Sequence, residues 1–295
     1  MVTLDRILCP VDLSDESKRA FDYALALGRR FEAEVRVVHV VDMGAWIGLP
    51  VEGIGELAET ARVSLREQLD SWVARSLTGG AEVRSELREG PVVQVILAAA
   101  TEMLADVIVM GTHGRSGFER LALGSVTERV LRRSTCPVLV VPSRHDDVVR
   151  SGPLGRIVCA TDFSEASRHA VEFAKDFAAS GTSPLTLMTV IDWPFGDSSG
   201  SDPVTRLRES LEQEATDSLR ALVGPPADHH IDVAVRHGRA GAEVVRFARE
   251  VQAELVVLGV SGRGALDRVL LGSTAHHVLR DAPCPIMTVP LPARA

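Results

Sequence analysis

The sequence predicts an α/β protein built from two tandem domains, each a parallel sheet flanked by helices. Three observations carry this. The length of 295 residues is about twice that of an ordinary domain. The second half repeats the first: RILCPVDLS at 6–14 returns as RIVCATDFS at 156–164, and the stretch 107–142 returns as 255–290. Within each repeat, short β-branched runs alternate with longer amphipathic stretches, the pattern of strands joined by crossover helices.

In the first repeat the apolar runs predict strands near 5–10, 34–41, 81–88, 106–111 and 137–141. Helical periodicity fits 15–30, 55–77, 91–103 and 124–133. Leu57, Ala61, Leu65, Leu69 and Trp72 recur at intervals of three and four, so this face of the second helix is expected to pack on the sheet. The second repeat places strands near 156–160, 185–191, 231–236, 254–259 and 285–289, and helices at 165–179, 203–222, 240–251 and 272–280. The polar stretch 143–155 contains Gly152, Pro153 and Gly155 and reads as a joint. The expected organisation is a first domain at 1–145, a linker at 146–154 and a second domain at 155–295.

Composition narrows the function. Hydrophobic residues are 45% and charged residues 24%, which suits packed cores rather than a disordered chain. The net charge of −8 and the lack of basic stretches interleaved with aromatics argue against a nucleic-acid surface. No apolar run approaches the length that spans a bilayer, and no signal-peptide pattern opens the sequence, so a cytoplasmic protein without membrane insertion is expected. Cys9 and Cys159 occupy equivalent first-strand places, and Cys136 and Cys284 precede the last strands. Duplication explains that spacing, and reduced thiols without a catalytic role are expected. The pairs His229-His230 and His276-His277 lack a metal-ligand pattern, and Asp146-Asp147 sits in the joint; solvation accounts for all three.

The pattern that carries chemistry occurs twice. Gly111-Thr112-His113-Gly114 is followed after nine residues by Gly124-Ser125, and Gly259-Val260-Ser261-Gly262 after nine residues by Gly272-Ser273. Each first glycine falls at the end of a fourth strand, and each Gly-Ser pair opens the next helix. Missing Cβ atoms permit close approach by phosphate oxygens, while a helix start offers unpaired N–H groups that Ser125 or Ser273 can supplement as a cap. Arg115 and Arg263, basic side chains directly after the second glycine of each loop, either meet phosphate or are solvated. Glycines that merely close turns are the competing account.

Asp12 and Asp162 follow the first strands. They are either turn or cap residues, or acceptors for a ribose or adenine hydrogen bond at the sheet edge. Val40 and Val190 end the second strands and can offer adenine an apolar face, with core packing as the alternative. The chain has no G-x-x-x-x-G-K-[ST], no G-x-G-x-x-G after a first strand and no G-x-S-x-G. The phosphate loop is therefore not a Walker A loop, and dinucleotide redox chemistry and a hydrolase elbow are disfavoured.

With GTHGRSGFERLALGS and GVSGRGALDRVLLGS, openings ILCPVDLS and IVCATDFS, and endings CPVLVVP and CPIMTVP, the sequence resembles a tandem universal stress protein of the ATP-binding class over nearly its whole length. The resemblance implies adenine-nucleotide-binding-like domains with five parallel strands in the order 3-2-1-4-5. It implies one ATP site per domain, at Asp12, Val40, Gly111, Gly114, Gly124 and Ser125 and at Asp162, Val190, Gly259, Gly262, Gly272 and Ser273, with magnesium carried on the ATP phosphates. It further implies pairing of the two domains about a pseudo-twofold axis, and a homodimer in some tandem members. Two departures point to unequal sites: His39 becomes Thr189, and Pro10-Val11 becomes Ala160-Thr161.

The expected role is an ATP-dependent conformational or partner-binding switch in stress adaptation, with a regulatory protein as partner. The Gly-, Pro- and acid-containing stretches 42–54 and 192–202 are placed to report occupancy. Slow ATP hydrolysis or phosphate transfer is a second reading, although no positioned base or charge-stabilising pair is evident. A nucleotide-independent interaction scaffold is a third, because fold alone does not decide function.

Overall fold

The computed structural model describes residues 4–42, 54–77, 82–112, 123–142, 155–193, 202–224, 231–260 and 271–292. It divides into two compact units, Leu4–Ser143 and one carrying Arg144–Ala295.

In the first unit the order is β1 (Arg6–Val11), α1 (Asp15–Phe31), β2 (Glu34–Val41), α2 (Ile54–Ser76), β3 (Val83–Glu89), α3 (Val92–Glu102), β4 (Val107–Gly111), α4 (Ser125–Arg133) and β5 (Val138–Val141). All strand pairs are parallel, in the order β3-β2-β1-β4-β5. The central strands are buried on both faces, with Ile7, Leu8, Cys9, Val37, Val107 and Val109 fully inside. That explains their nearly continuous apolar runs. Edge strand β3 instead carries Arg84, Glu86 and Arg88, and its charges keep the open edge soluble.

Helix α1 shows why these segments become helices. Ser14 caps it by accepting from the Ser17 N–H, Asp15 and Glu16 lie at its positive end, and Arg29 and Arg30 at its negative end. Left-handed Glu32 stops it, with its N–H turned back to the Gly28 carbonyl. Phe21 stacks on Trp72 with ring centroids 5.3 Å apart, tying α1 to α2. The apolar face of α2 is buried only in its second half. Leu69, Trp72 and Val73 are inside, Ala61 and Leu65 half-buried, and Leu57 is 61% exposed, so the expected continuous contact with the sheet is corrected. β3 is the edge strand on this side, paired only with β2 in this unit.

The second unit runs β6 (Ile157–Ala160), α5 (Glu165–Gly181), β7 (Leu185–Ile191), α6 (Asp202–Val223), β8 (Ile231–His237), α7 (Ala240–Glu250), β9 (Leu255–Val260), α8 (Ser273–Asp281) and β10 (Ile286–Pro290). Its parallel order is β8-β7-β6-β9-β10. Duplication extends to backbone conformation. Leu13 and Phe163, Glu32 and Thr182, Leu104 and Gln252, and Gly90 and Gly238 all have positive φ at corresponding places.

No described helix is long and apolar enough to cross a membrane. The four cysteines are free thiols. Burial pushes the Cys284 thiol up to about 12 and raises those of Cys9, Cys159 and Cys136, so these groups remain protonated at neutral pH.

Candidate functional site

Each unit opens a cleft at the carboxyl ends of its central strands, where ligands of open α/β sheets bind. In the first, a cavity of about 290 Å³ brings together Asp12, Val40, Gly111, Gly124 and Ser125. In the second, a cavity of about 350 Å³ brings together Asp162, Val190, Gly259, Gly272 and Ser273. Five of the seven expected residues thus line each cleft. Gly114, Arg115, Gly262 and Arg263 lie outside the described residues, as do His113, His229, His230 and the joint with Asp146 and Asp147. Most of 42–54 and 192–202 does too.

The turn after the first strand sets the acid. Leu13 and Phe163 take left-handed conformations, with φ of 65° and 63°, which swing the chain from strand into helix. The Asp12 carboxylate accepts from the Ser14 N–H at 3.0 Å, and Asp162 accepts from the Ser164 N–H at 3.0 Å. Ser14 and Ser164 are the helix caps, so the aspartates are turn acids rather than caps. Burial alone would raise the Asp162 carboxyl, but hydrogen bonds centred on Ser164 and Ser167 outweigh it and hold the group below the usual carboxylate range. It is an anionic acceptor at neutral pH.

The second-strand ends explain the His39-to-Thr189 change. His39 is buried and its Nδ1 donates to the Val11 carbonyl at 2.7 Å. Thr189 Oγ1 donates to the Thr161 carbonyl at 2.8 Å. Two different side chains therefore hold the same carbonyl, the one just before the aspartate. Thr161 in turn supports its own turn, accepting from the Phe163 N–H at 3.0 Å and bonding Ser167 Oγ at 3.0 Å.

At the other end, Gly111 closes β4, whereas Gly259 is the penultimate residue of β9. The Gly124 N–H donates to the Thr112 carbonyl at 2.8 Å, so the two ends of the first glycine loop meet. Helices α4 and α8 are capped by Gly124 and Gly272, which supply no side-chain cap hydrogen bond. Ser125 and Ser273, expected as caps, are instead the first helical residues. Helices α3 and α7, capped by Pro91 and Arg239, also lack a capping side chain. Each cleft is thus bordered by two helix starts whose dipoles favour an anion.

The two second-unit glycines serve different ends. A Cβ on Gly259 would overlap the Ala166 carbonyl, so the close packing of α5 on β9 by itself requires glycine here, beside whatever its main chain offers the cleft. A Cβ on Gly272 would meet nothing within 4 Å among the described residues, which leave open space at the start of α8.

Sequence reading missed the walls supplied by α3 and α7: Val92 and Ile96 in the first cleft, Ala240 and Val244 in the second. Their signal is the positive-φ glycine just upstream, Gly90 or Gly238, whose N–H bonds the end of the second strand and turns the helix start into the cleft. His277, expected to be solvated, is half-buried against Gly241, where a Cβ would lie 2.7 Å from its own Cβ. Among the described residues no group of three or more His, Cys, Asp or Glu side chains converges as a metal cluster. An adenine nucleotide fits the donor set: apolar β2 or β7 ends, a carboxylate, and uncapped helix starts for phosphate.

The profile of the Universal stress protein family matches residues 3–142 and 153–290. The chain is 28% identical over 301 residues to a universal stress protein of Mycobacterium tuberculosis, covering 95% of each. It is 40% identical over 137 residues to one of Methanocaldococcus jannaschii, covering 46% of this chain and 81% of that relative. The crystal structure of a universal stress protein from Archaeoglobus fulgidus superposes with a TM-score of 0.70 at 25% identity, covering 98% of this chain and 99% of that one.

Proposed function

Since the chain belongs to the universal stress protein family, we propose that it binds one ATP in each cleft and acts as a nucleotide-dependent switch of conformation or partner binding in stress adaptation. The observation that carries this reading is the meeting, twice over, of uncapped helix starts with an apolar strand end and a turn carboxylate.

In the first cleft, Val40 faces the adenine and Asp12 accepts from a ribose hydroxyl. Gly111, Gly114, Gly124 and Ser125 surround the phosphates, with Arg115 beside them. Val190, Asp162, Gly259, Gly262, Gly272, Ser273 and Arg263 take these parts in the second. Magnesium bound to ATP neutralises phosphate charge, which matters in a chain of net charge −8. A ligand shifts a conformational balance only by its unequal affinity for the two states. The stretches 42–54 and 192–202, which follow the strands bearing Val40 and Val190, are the segments through which occupancy is reported.

Equilibrium dialysis of the intact chain against MgATP tests binding. Saturable uptake by the wild type, weakened in Gly272→Ala while circular dichroism stays unchanged, is expected. A folded wild type with no uptake across a broad concentration range overturns the reading. Limited proteolysis tests the switch: cleavage unchanged by saturating MgATP leaves binding without a conformational consequence and rejects that part.

A further inference from the structure

We infer that the two clefts bind adenine nucleotide with unequal affinity, the first tighter than the second, and that Val92 and its counterpart Ala240 set the difference. This deepens the proposed ATP reading and rests on it.

Phosphate belongs at the Gly124-Ser125 and Gly272-Ser273 ends, because of the four helix starts without a capping side chain only these two begin at a glycine, whose missing Cβ permits close approach. The base then lies toward the second strand, at Val40 or Val190. The parallel order puts β2 and β7 on the opposite side of the first strand from β4 and β9. Helices α3 and α7 enter at this far side, because the Gly90 N–H bonds the Val41 carbonyl at 3.0 Å and the Gly238 N–H bonds the Ile191 carbonyl at 3.0 Å. The first residues of these helices, Val92 and Ala240, and the next inward-facing ones, Ile96 and Val244, therefore wall the base end.

At these two places the second cleft lacks three carbons that the first possesses. Met188 replaces Val38 and adds a single heavy atom, fewer than the three lost at the wall. A base against the smaller side chains of the second cleft has fewer wall atoms within dispersion contact and leaves more apolar surface wet. The added hydroxyls there do not compensate at the base end. Thr189 is committed to the Thr161 carbonyl, and Thr161 to Ser167 and the Phe163 N–H.

The phosphate end points the same way. Thr127 Oγ1 donates to the Gly111 carbonyl at 2.9 Å, fixing the strand end against α4, whereas Ala275 at the corresponding position has no hydroxyl. The first cleft thus has at this strand end one side-chain hydrogen bond that the second does not, which favours its pre-organisation for a ligand. One chain then responds in two steps, as the first cleft fills at low nucleotide and the second only at higher concentration.

Calorimetric titration of the full chain with MgATP tests this, alongside Val92→Ala and Ala240→Val, with circular dichroism as the folding control. Two classes of site, separated on the order of tenfold to a hundredfold, are expected in the wild type. Val92→Ala weakens the tight class and leaves the weak class unchanged; Ala240→Val tightens the weak class and leaves the tight one. Two equal sites, or a tight class unmoved by Val92→Ala, overturn the inference while leaving the ATP reading intact. No uptake by any of the three chains overturns the ATP reading itself.

Discussion

Gly259 and Gly272 carry the same letter in the same repeated motif and stand in opposite physical situations. A methyl on Gly259 meets the Ala166 main chain, which cannot move away as a flexible side chain would. Gly259→Ala is expected to destabilise the second domain by about 1–3 kcal/mol, read by denaturant or thermal unfolding. A melt indistinguishable from wild type would show that α5 does not press on β9 as described. Gly272→Ala, with open space around the new methyl, is expected to lose less than about 1 kcal/mol and to show its effect in nucleotide uptake instead. The sequence announced both glycines through spacing, but their division of labour was hidden because Ala166 is distant in the chain and contributes only its main chain. Ser14 belongs to the same scale. Its hydroxyl accepts from the Ser17 N–H at 3.2 Å, and Ser14→Ala should cost about 1 kcal/mol of stability in a denaturant titration.

Between elements, duplication preserves joints while changing their chemistry. Arg62 of α2 pairs with Glu89 of β3, with Nη2 donating to Oε2 at 3.1 Å. At the corresponding joint of the second unit the polarity is reversed: Glu212 of α6 faces His237 of β8, with Oε1 3.2 Å from Nε2. Burial, and then the nearby Arg208, push the His237 imidazole below its ordinary value of 6.5, while Glu212 and Glu243 pull it upward without prevailing. The folded state therefore takes up this proton less readily than the unfolded chain. Stability contributed by the neutral ring is present above about pH 6.5 and is lost as pH falls toward the lower folded value. The unfolding temperature of wild type should accordingly fall more steeply between pH 7 and 5 than that of His237→Gln. Parallel curves for the two chains would refute the assignment. The strand-and-helix order was legible from period alone, with ends off by a residue or two, because parallel strands buried on both faces and strongly amphipathic helices leave clear patterns. The fate of α2 was not legible. Periodicity at Leu57, Ala61 and Leu65 gives the direction of an apolar face but not how far the sheet extends beneath it.

For the molecule as a whole, repetition made the candidate sites readable and concealed their inequality. Asp12, Val40 and the glycine-serine anchors recur by residue type, so alignment of the halves finds them; the wall at Val92 and Ala240 does not, since its two versions differ and neither resembles a motif. Both clefts exist only in folded domains, so nucleotide binding must appear as stability. If each cleft binds as proposed, nucleotide at 100-fold excess over its dissociation constant adds about 2.7 kcal/mol to the domain that holds it. Thermal unfolding of the whole chain should therefore shift upward with MgATP. Gly272→Ala should retain the part of the shift that belongs to the first domain and lose most of the part that belongs to the second. Because the chain carries a net charge of −8, ATP without magnesium should shift unfolding less than MgATP at equal concentration. Equal shifts with and without the metal would remove magnesium from the account but leave the clefts, whereas the absence of any shift in wild type would remove the nucleotide itself.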